Sequence, residues 1–269
     1  MMRYAAATIA ALLMVNAPGV HAQSTGDQTM DEDIGPPPPN PSGLSLTAGP
    51  GLAVAPKYPG ADTYRVLPLP SIDLRYGRFF FNRDGLGVSL INEPPGGWQV
   101  GVAAFVDFDR RERDDPVRLR GLGNIDTALQ GRFFVAKGLG PVMARATLAH
   151  DFGGTNGTTL DLSAGFRTNL TDRAMLFAGP TLSLADDKYM QGFFGITDAQ
   201  AQRGSRSAYD ASAGLYKVSL NAGVNFALSP KWSAGAFASF GYLVGDAGRS
   251  PVVAQREQPG GGIVLSHRF

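Results

Sequence analysis

Lys217 to Leu228 reads KVSLNAGVNFAL. Val218, Leu220, Ala222, Val224, Phe226 and Leu228 share one parity, while Ser219, Asn221, Gly223, Asn225 and Ala227 share the other. A period of two belongs to a strand, because successive side chains leave the pleated backbone on opposite faces. The segment is also long. A tilted strand needs roughly 9 to 11 residues to cross a membrane, whereas strands of soluble sandwiches run about 5 to 6. Such a strand presents lipid with one continuous apolar face and keeps its small polar face for an interior.

The same alternation recurs outward from this stretch. In Thr159 to Leu170, Leu160, Leu162, Ala164, Phe166 and Leu170 oppose Asp161, Ser163, Gly165, Arg167 and Asn169. Trp98 to Phe108, Ile125 to Val135, Val142 to Phe152, Trp232 to Tyr242 and Val66 to Tyr76 repeat it. Tight turns such as Thr171-Asp172-Arg173 and Ser229-Pro230-Lys231 alternate with long polar loops at Arg110 to Arg120, Asp186 to Ser212 and Asp246 to Gln258. These features predict an all-β protein, an antiparallel transmembrane β-barrel with short periplasmic turns and long extracellular loops. A mean hydropathy of -0.06 fits, since lipid-facing and lumen-facing residues cancel. The 35 glycines belong to turns and to the crowded lumen side, and Trp98, Phe108, Trp232, Phe240 and Tyr242 are candidates for interfacial girdles.

Asp107, Asp126, Arg132, Arg145, Asp151, Asp161 and Arg167 fall on the parity opposite the apolar face. A ring of one sign would suggest an ion-selective channel. Interspersed acids and bases instead predict a narrow, crosslinked lumen, because buried charges persist when paired or wet. If the chain starts and ends in the periplasm, the strand number is even. Splitting Gly77 to Asn92 about Asn82-Arg83-Asp84-Gly85 gives twelve strands. Arg78 to Phe81 is too short to span alone, so ten strands, with that segment folded over the rim, is the alternative.

The termini bear on location. Met1-Met2-Arg3, the apolar run Tyr4 to Val15 and the small-residue pattern Val20-His21-Ala22 predict a signal peptide over residues 1–22, cleaved after Ala22. Residues 23–42 are acidic and then proline-rich, a composition that predicts a disordered periplasmic arm, leaving the barrel to residues 43–269. With no Cys, neither disulfides nor lipoprotein acylation can hold the exported chain. Without Arg3 the charges balance at 23 basic and 23 acidic residues, and no polybasic surface suggests nucleic acid. The final Phe269, with Leu265 and Ile263 on its face, is the kind of terminal strand that barrel assembly machinery pairs with; His267 departs from the usual hydrophobic third-from-last residue. The expected location is the cell outer membrane, among outer-membrane lipids and lipopolysaccharide.

Pro56-Lys57-Tyr58-Pro59-Gly60, Leu67-Pro68-Leu69-Pro70 leading to Tyr76-Gly77-Arg78-Phe79-Phe80, Gly85-Leu86-Gly87-Val88, Leu119-Arg120-Gly121-Leu122, YMQGFFGI at Tyr189 to Ile196 and LVGDAGRSP at Leu243 to Pro251 occur in order. Together they resemble the MipA/OmpV family of MltA-interacting proteins. The resemblance implies an outer-membrane barrel and a scaffold linking a lytic transglycosylase, a murein hydrolase, to a penicillin-binding murein polymerase, the murein synthase. Other members are described as antigens, adhesins or porin-like permeability proteins. No functional residue is carried over.

No catalytic, cofactor-binding or metal site is predicted. A general base could be only His150, His267 or a carboxylate, since His21 leaves with the leader. His150 shares parity with Ala146, Leu148 and Phe152, on the lipid side, and a partner Ser for a hydrolase dyad would have to come from an adjacent strand. Asp186-Asp187-Lys188 reads as a solvated loop, Asp31-Glu32-Asp33 lacks a rigid oxygen cage for a cation, and Asn156-Gly157-Thr158 reads as a hairpin turn. The basic and acidic loop Arg110 to Arg120 has two readings, contact with lipopolysaccharide phosphates or a water-exposed salt-bridged loop.

Overall fold

Fourteen strand segments form one sheet that closes on itself in a computed structural model, which describes residues 43–93, 96–107 and 110–269. They are β1 (Leu44–Gly49), β2 (Gly51–Pro56), β3 (Tyr64–Pro68), β4 (Ser71–Tyr76), β5 (Phe79–Asn82), β6 (Gly85–Asn92), β7 (Trp98–Asp107), β8 (Ala128–Leu139), β9 (Val142–Phe152), β10 (Thr158–Thr171), β11 (Ala174–Ala185), β12 (Gly214–Ala227), β13 (Trp232–Leu243) and β14 (Glu257–Arg268). β1 and β2 are two halves of one strand interrupted at Pro50, and both pair with β14. β3 and β4 are likewise one strand broken at Leu69-Pro70, pairing with β2 and β1 respectively. Proline cannot donate to a ladder, so both breaks fall where the sequence removes a donor. The wall is therefore a twelve-stranded antiparallel barrel.

The lipid face follows the sequence parity. Leu52, Val66, Leu86, Val102, Leu148, Leu162, Leu220 and Ile263 all remain exposed on it. In water such a belt would be a large apolar liability; in hydrocarbon it is the matched surface. Boundaries moved where loops intervene. β8 begins at Ala128 rather than Ile125, because Ile125 bridges Arg110 instead of entering the wall, and Asp126 is an exposed loop residue rather than a lumen one. Residues 1–42, which include the expected leader and arm and Asp31-Glu32-Asp33, lie outside the described residues.

The segment that made the strand number ambiguous is laddered yet too short to span. β5 pairs with β4 from Tyr76↔Phe79 to Leu74↔Phe81, and its hairpin with β6 turns at Arg83-Asp84. Gly85 takes φ +112° at that turn, and a Cβ there would lie 2.1 Å from the Ala104 carbonyl oxygen. β6 meets β7 only from Leu86↔Ala104 to Asn92↔Gln99. Above the hairpin, among the described residues, β3 is laddered to β2 alone. The upper end of β7, Phe105 to Asp107, is laddered to β8 alone. The wall is consequently notched on the side where the long loops lie.

Candidate functional site

Three layers fill the barrel. Nearest the short turns, phenylalanines project inward and lie over glycines of neighbouring strands. A Cβ on Gly87 would meet Phe80, one on Gly101 Phe134, one on Gly223 Phe177, and one on Gly262 Phe237, each under 3 Å away. Ring and missing side chain thus share one volume across the lumen. Asp73 and Arg75 form an ion pair at 2.8 Å at the same end.

The second layer is polar and crosslinked. Arg145 of β9 reaches Asp84 of the β5–β6 turn at 3.0 Å, and its guanidinium lies 4.3 Å from the Phe134 ring centroid. Arg132 lies 3.6 Å over the Phe105 ring and donates from Nε to Gln130 at 2.7 Å. Gln130 in turn donates to Asp151 at 2.7 Å, and Ser183 donates to Asp161 at 2.5 Å. Five of the charged residues assigned to the lumen from parity, Asp107, Arg132, Arg145, Asp151 and Asp161, are here, and Arg167 lies on the same face closer to the turns. Above this network lies a cavity of about 300 Å³. Among the described residues seven cationic side chains line it, Lys57, Arg65, Arg83, Arg110, Arg132, Arg145 and Lys217, against the carboxylates of Asp84, Asp107 and Asp161. The mixed-sign lumen is thus present, with a cationic excess that parity alone did not reveal.

The third layer is a cap made by the long loops. Residues 186–213 fold into α1 (Asp187–Phe194) and α2 (Asp198–Arg203). Asp186, read from sequence as solvated, is the N-cap of α1 and accepts from the Tyr189 N–H at 2.9 Å. Burial opposes its ionisation, but backbone donors at Tyr189 and Thr158 outweigh burial and hold the carboxyl below its ordinary value. Asp187 accepts from the Ala213 N–H at 2.6 Å. Tyr189, Met190, Phe193 and Phe194 are buried against Ile125, Tyr216, Leu243 and Ala247, the last on α3 (Gly245–Arg249). A second cluster joins Tyr58, Ala61, Leu119, Leu122, Ile196 and Val252 from four loops. Tyr189 and Phe193 also line the cavity, so the cap closes over it.

Polar contacts fix the loops to one another. The Tyr58 hydroxyl donates to Asp115 at 3.0 Å; burial first, then the Asp115 hydrogen bond, raises its pKa. Tyr209 donates to the Asp246 carbonyl at 2.8 Å, and the Ser212 N–H donates to the Asp246 carboxylate at 3.0 Å. The Arg110 to Arg120 loop corrects both of its sequence readings at its first residue. Arg110 is 2% exposed and donates to the Phe193 carbonyl at 3.0 Å, and burial lowers its pKa to about 10. Arg118 pairs with Asp115 and Asp62, while Arg113 and Arg120 remain exposed. Spacing held a clue to the cap: Tyr189/Phe193 and Met190/Phe194 are i, i+4 pairs inside a segment otherwise read as polar loop.

The two described histidines are placed on the lipid face. The hydroxyl that the next strand brings to His150 is Thr158, at 3.0 Å from Nδ1, not a serine, and Phe152 stacks edge-on at 5.1 Å. Among the described residues no carboxylate hydrogen-bonds that ring. His267 lies between Trp232 and Phe269, with centroids at 4.7 and 4.6 Å. Asn156 takes φ +51° in the turn joining β9 to β10, as a hairpin residue does. Among the described residues no group of three or more acidic or histidine side chains could hold a metal ion.

Fold and lumen define a transmembrane β-barrel with a filled, capped interior. The chain belongs to the family described as MltA-interacting protein MipA, whose profile matches residues 48–269. No curated protein matches the sequence. Among solved structures, outer-membrane expressed OmpT of Vibrio cholerae is 9% identical, covering 84% of this chain and 97% of that one at a TM-score of 0.38. The outer membrane channel DcaP of Acinetobacter baumannii is 9% identical at 84% and 96% coverage and a TM-score of 0.34. The N-terminal β-barrel domain of Pseudomonas aeruginosa OprF is 10% identical at 63% and 96% coverage and a TM-score of 0.28. Superpositions this loose say nothing of strand number or function, and the architecture rests on the sheet itself.

Proposed function

We propose that the protein is a non-enzymatic outer-membrane barrel that acts at its periplasmic side as a scaffold for murein enzymes, a lytic transglycosylase and a penicillin-binding murein polymerase. Membership of the MltA-interacting family carries this reading. In it, residues 1–22 are the leader, residues 23–42 the periplasmic arm, the short turns face the periplasm and Phe269 engages the assembly machinery. Both described ends support that orientation, since Leu44 pairs with Tyr76 beside the turn at Gly77 and the Phe269 N–H donates to Leu46.

The lumen speaks against a porin-like role. Phenylalanines near the turns, an ion-paired middle layer and a hydrophobic cap stand in the path along the barrel axis, so work is better placed at the barrel's faces. A lipid-facing His150 paired with Thr158 and edged by Phe152 is better suited to packing at the membrane interface than to general-base catalysis. Co-purification of a lytic transglycosylase with the full-length barrel, and its loss on deleting residues 23–42, is the expected result. Equal absence of the transglycosylase from barrel and control membranes would overturn the scaffold reading.

A further inference from the structure

The notch above the β5–β6 hairpin is a window in the wall. Its sill is Asn82-Arg83-Asp84, its sides are β3 and the upper end of β7, and its lintel is the loop pair joined by Tyr58–Asp115 and Arg118–Asp62. Among the described residues, ladder positions for two strands are unfilled there, a width of about 14 Å at the usual spacing of ~4.8 Å, beside five residues of β3 or roughly 17 Å of strand. Val54 and Val66 are exposed on the outer faces of β2 and β3 at this level. The window therefore opens within the apolar belt and not above it. On the inside, Arg65 and Leu67 of β3, Arg83 and Asp84 of the sill, and Phe105 and Asp107 of β7 all line the cationic cavity.

A second observation points to a ligand. Arg65 Nε is buried without any hydrogen-bond partner. A buried Nε–H donor left unpaired is costly, and the group that best satisfies a guanidinium is a planar or tetrahedral oxyanion held bidentately. The cavity's cationic excess sets the sign of that ligand. Its volume of about 300 Å³ suits a headgroup. We propose that the window admits the phosphate head of an amphiphile from the membrane leaflet at the loop end, with Arg65 and Arg83 receiving the phosphate while the hydrocarbon tail stays in the bilayer against Val66. This goes beyond the scaffold reading and does not depend on it.

The test uses the full-length protein in neutral maltoside detergent, titrated by native mass spectrometry with monododecyl phosphate and, separately, with inorganic phosphate. One tightly bound dodecyl phosphate per chain is expected, with inorganic phosphate at least 10-fold weaker, because the tail and the lateral route contribute only for the amphiphile. Arg65→Gln should weaken binding at least 10-fold without loss of folding, since the Nε it removes makes no hydrogen bond within the fold; retained heat-modifiable gel mobility checks this. Leu67→Trp, which narrows the inner edge of the window and keeps every charge, should weaken dodecyl phosphate as well. Equal binding of inorganic phosphate would overturn lateral entry in favour of an aqueous anion site. Absence of any adduct, or unchanged affinity in folded Arg65→Gln, would overturn the site itself.

Discussion

Arg145 and Asp84 meet at 3.0 Å across the lumen, joining β9 to the turn of a hairpin three strands away. Both side chains are mostly buried, at 12% and 16% exposure, so the contact is screened far less than a surface pair. Its role is positional: the β5–β6 turn ends short of the rim and has no ladder above it among the described residues, and this pair ties it to β9, about a quarter of the way round the wall.

Removing one partner leaves a buried charge uncompensated, which typically costs about 3–5 kcal/mol, whereas replacing both by apolar groups is far milder. Asp84→Asn is therefore expected to destabilise the barrel by about 3 kcal/mol in urea unfolding, and Asp84→Asn combined with Arg145→Met to recover a good part of it. Equal losses in single and double variants would show that the pair is not coupled.

The same turn depends on Gly85. An alanine there would have to hold φ +112° and place its Cβ 2.1 Å from a backbone oxygen of β7, which cannot swing away as a side chain could. Gly85→Ala should cost several kcal/mol by the usual scale for such strain and lower the heat-modification midpoint. Gly77→Ala is the control: its φ is +57° but nothing lies within 4 Å of its Cβ, so only about 1 kcal/mol is expected.

Cap and wall should fail separately. Phe194, the last residue of α1, is fully buried against Tyr216, and Phe→Ala at such a site costs about 3–5 kcal/mol. Because it packs among loops, Phe194→Ala should make residues 186–213 susceptible to limited proteolysis while strand content by circular dichroism is unchanged. Loss of strand signal together with the loop would mean that cap and barrel unfold as one unit.

The cap should also have defined pH limits. Asp186 is held below its ordinary value of 3.8 by backbone donors against burial, and Asp246 chiefly by the Ser212 N–H. Carboxyls with depressed folded values contribute fully above the unfolded pKa, and that contribution disappears as pH falls through the lower folded value. Tyr58 is shifted the other way by burial and Asp115, so its contribution is full below pH 10, its ordinary pKa, and is lost above it. Hydrogen exchange in the loop amides should be flat between about pH 4 and 10 after correction for intrinsic rates, and should accelerate outside that range. Opening between pH 5 and 7 would contradict this assignment.

Alternation made the wall legible, and it fixed which face each of Leu148, His150, Asp161 and Leu220 would take. The twelve strands were legible from Asn82-Arg83-Asp84-Gly85, whose turn chemistry outweighed the shortness of Arg78 to Phe81. That shortness was nonetheless informative: β5 does not span, and the notch is its consequence. The cap was harder to see because its buried aromatics are diluted by Asp, Gln, Gly and Arg, so residues 186–213 look like solvated loop on composition. Arg110 was misread for the same reason, since a charge in an acidic and basic run gives no sign that Phe193 will cover it. The short motifs that carried the family resemblance fall largely on the cap and the notch, at Tyr58, Leu119, Tyr189 to Ile196, Ala247 and the Leu67 to Pro70 break. Sequence reading located these motifs without showing that they converge.

Inward phenylalanines near the turns, the ion-paired layer and the cap of loops all stand across the lumen. Single-channel recording of the purified protein in planar bilayers reads out whether that lumen conducts. A silent bilayer is expected, without stable conductance steps at moderate voltage and neutral pH; reproducible long-lived open steps from the wild-type protein would contradict an obstructed lumen.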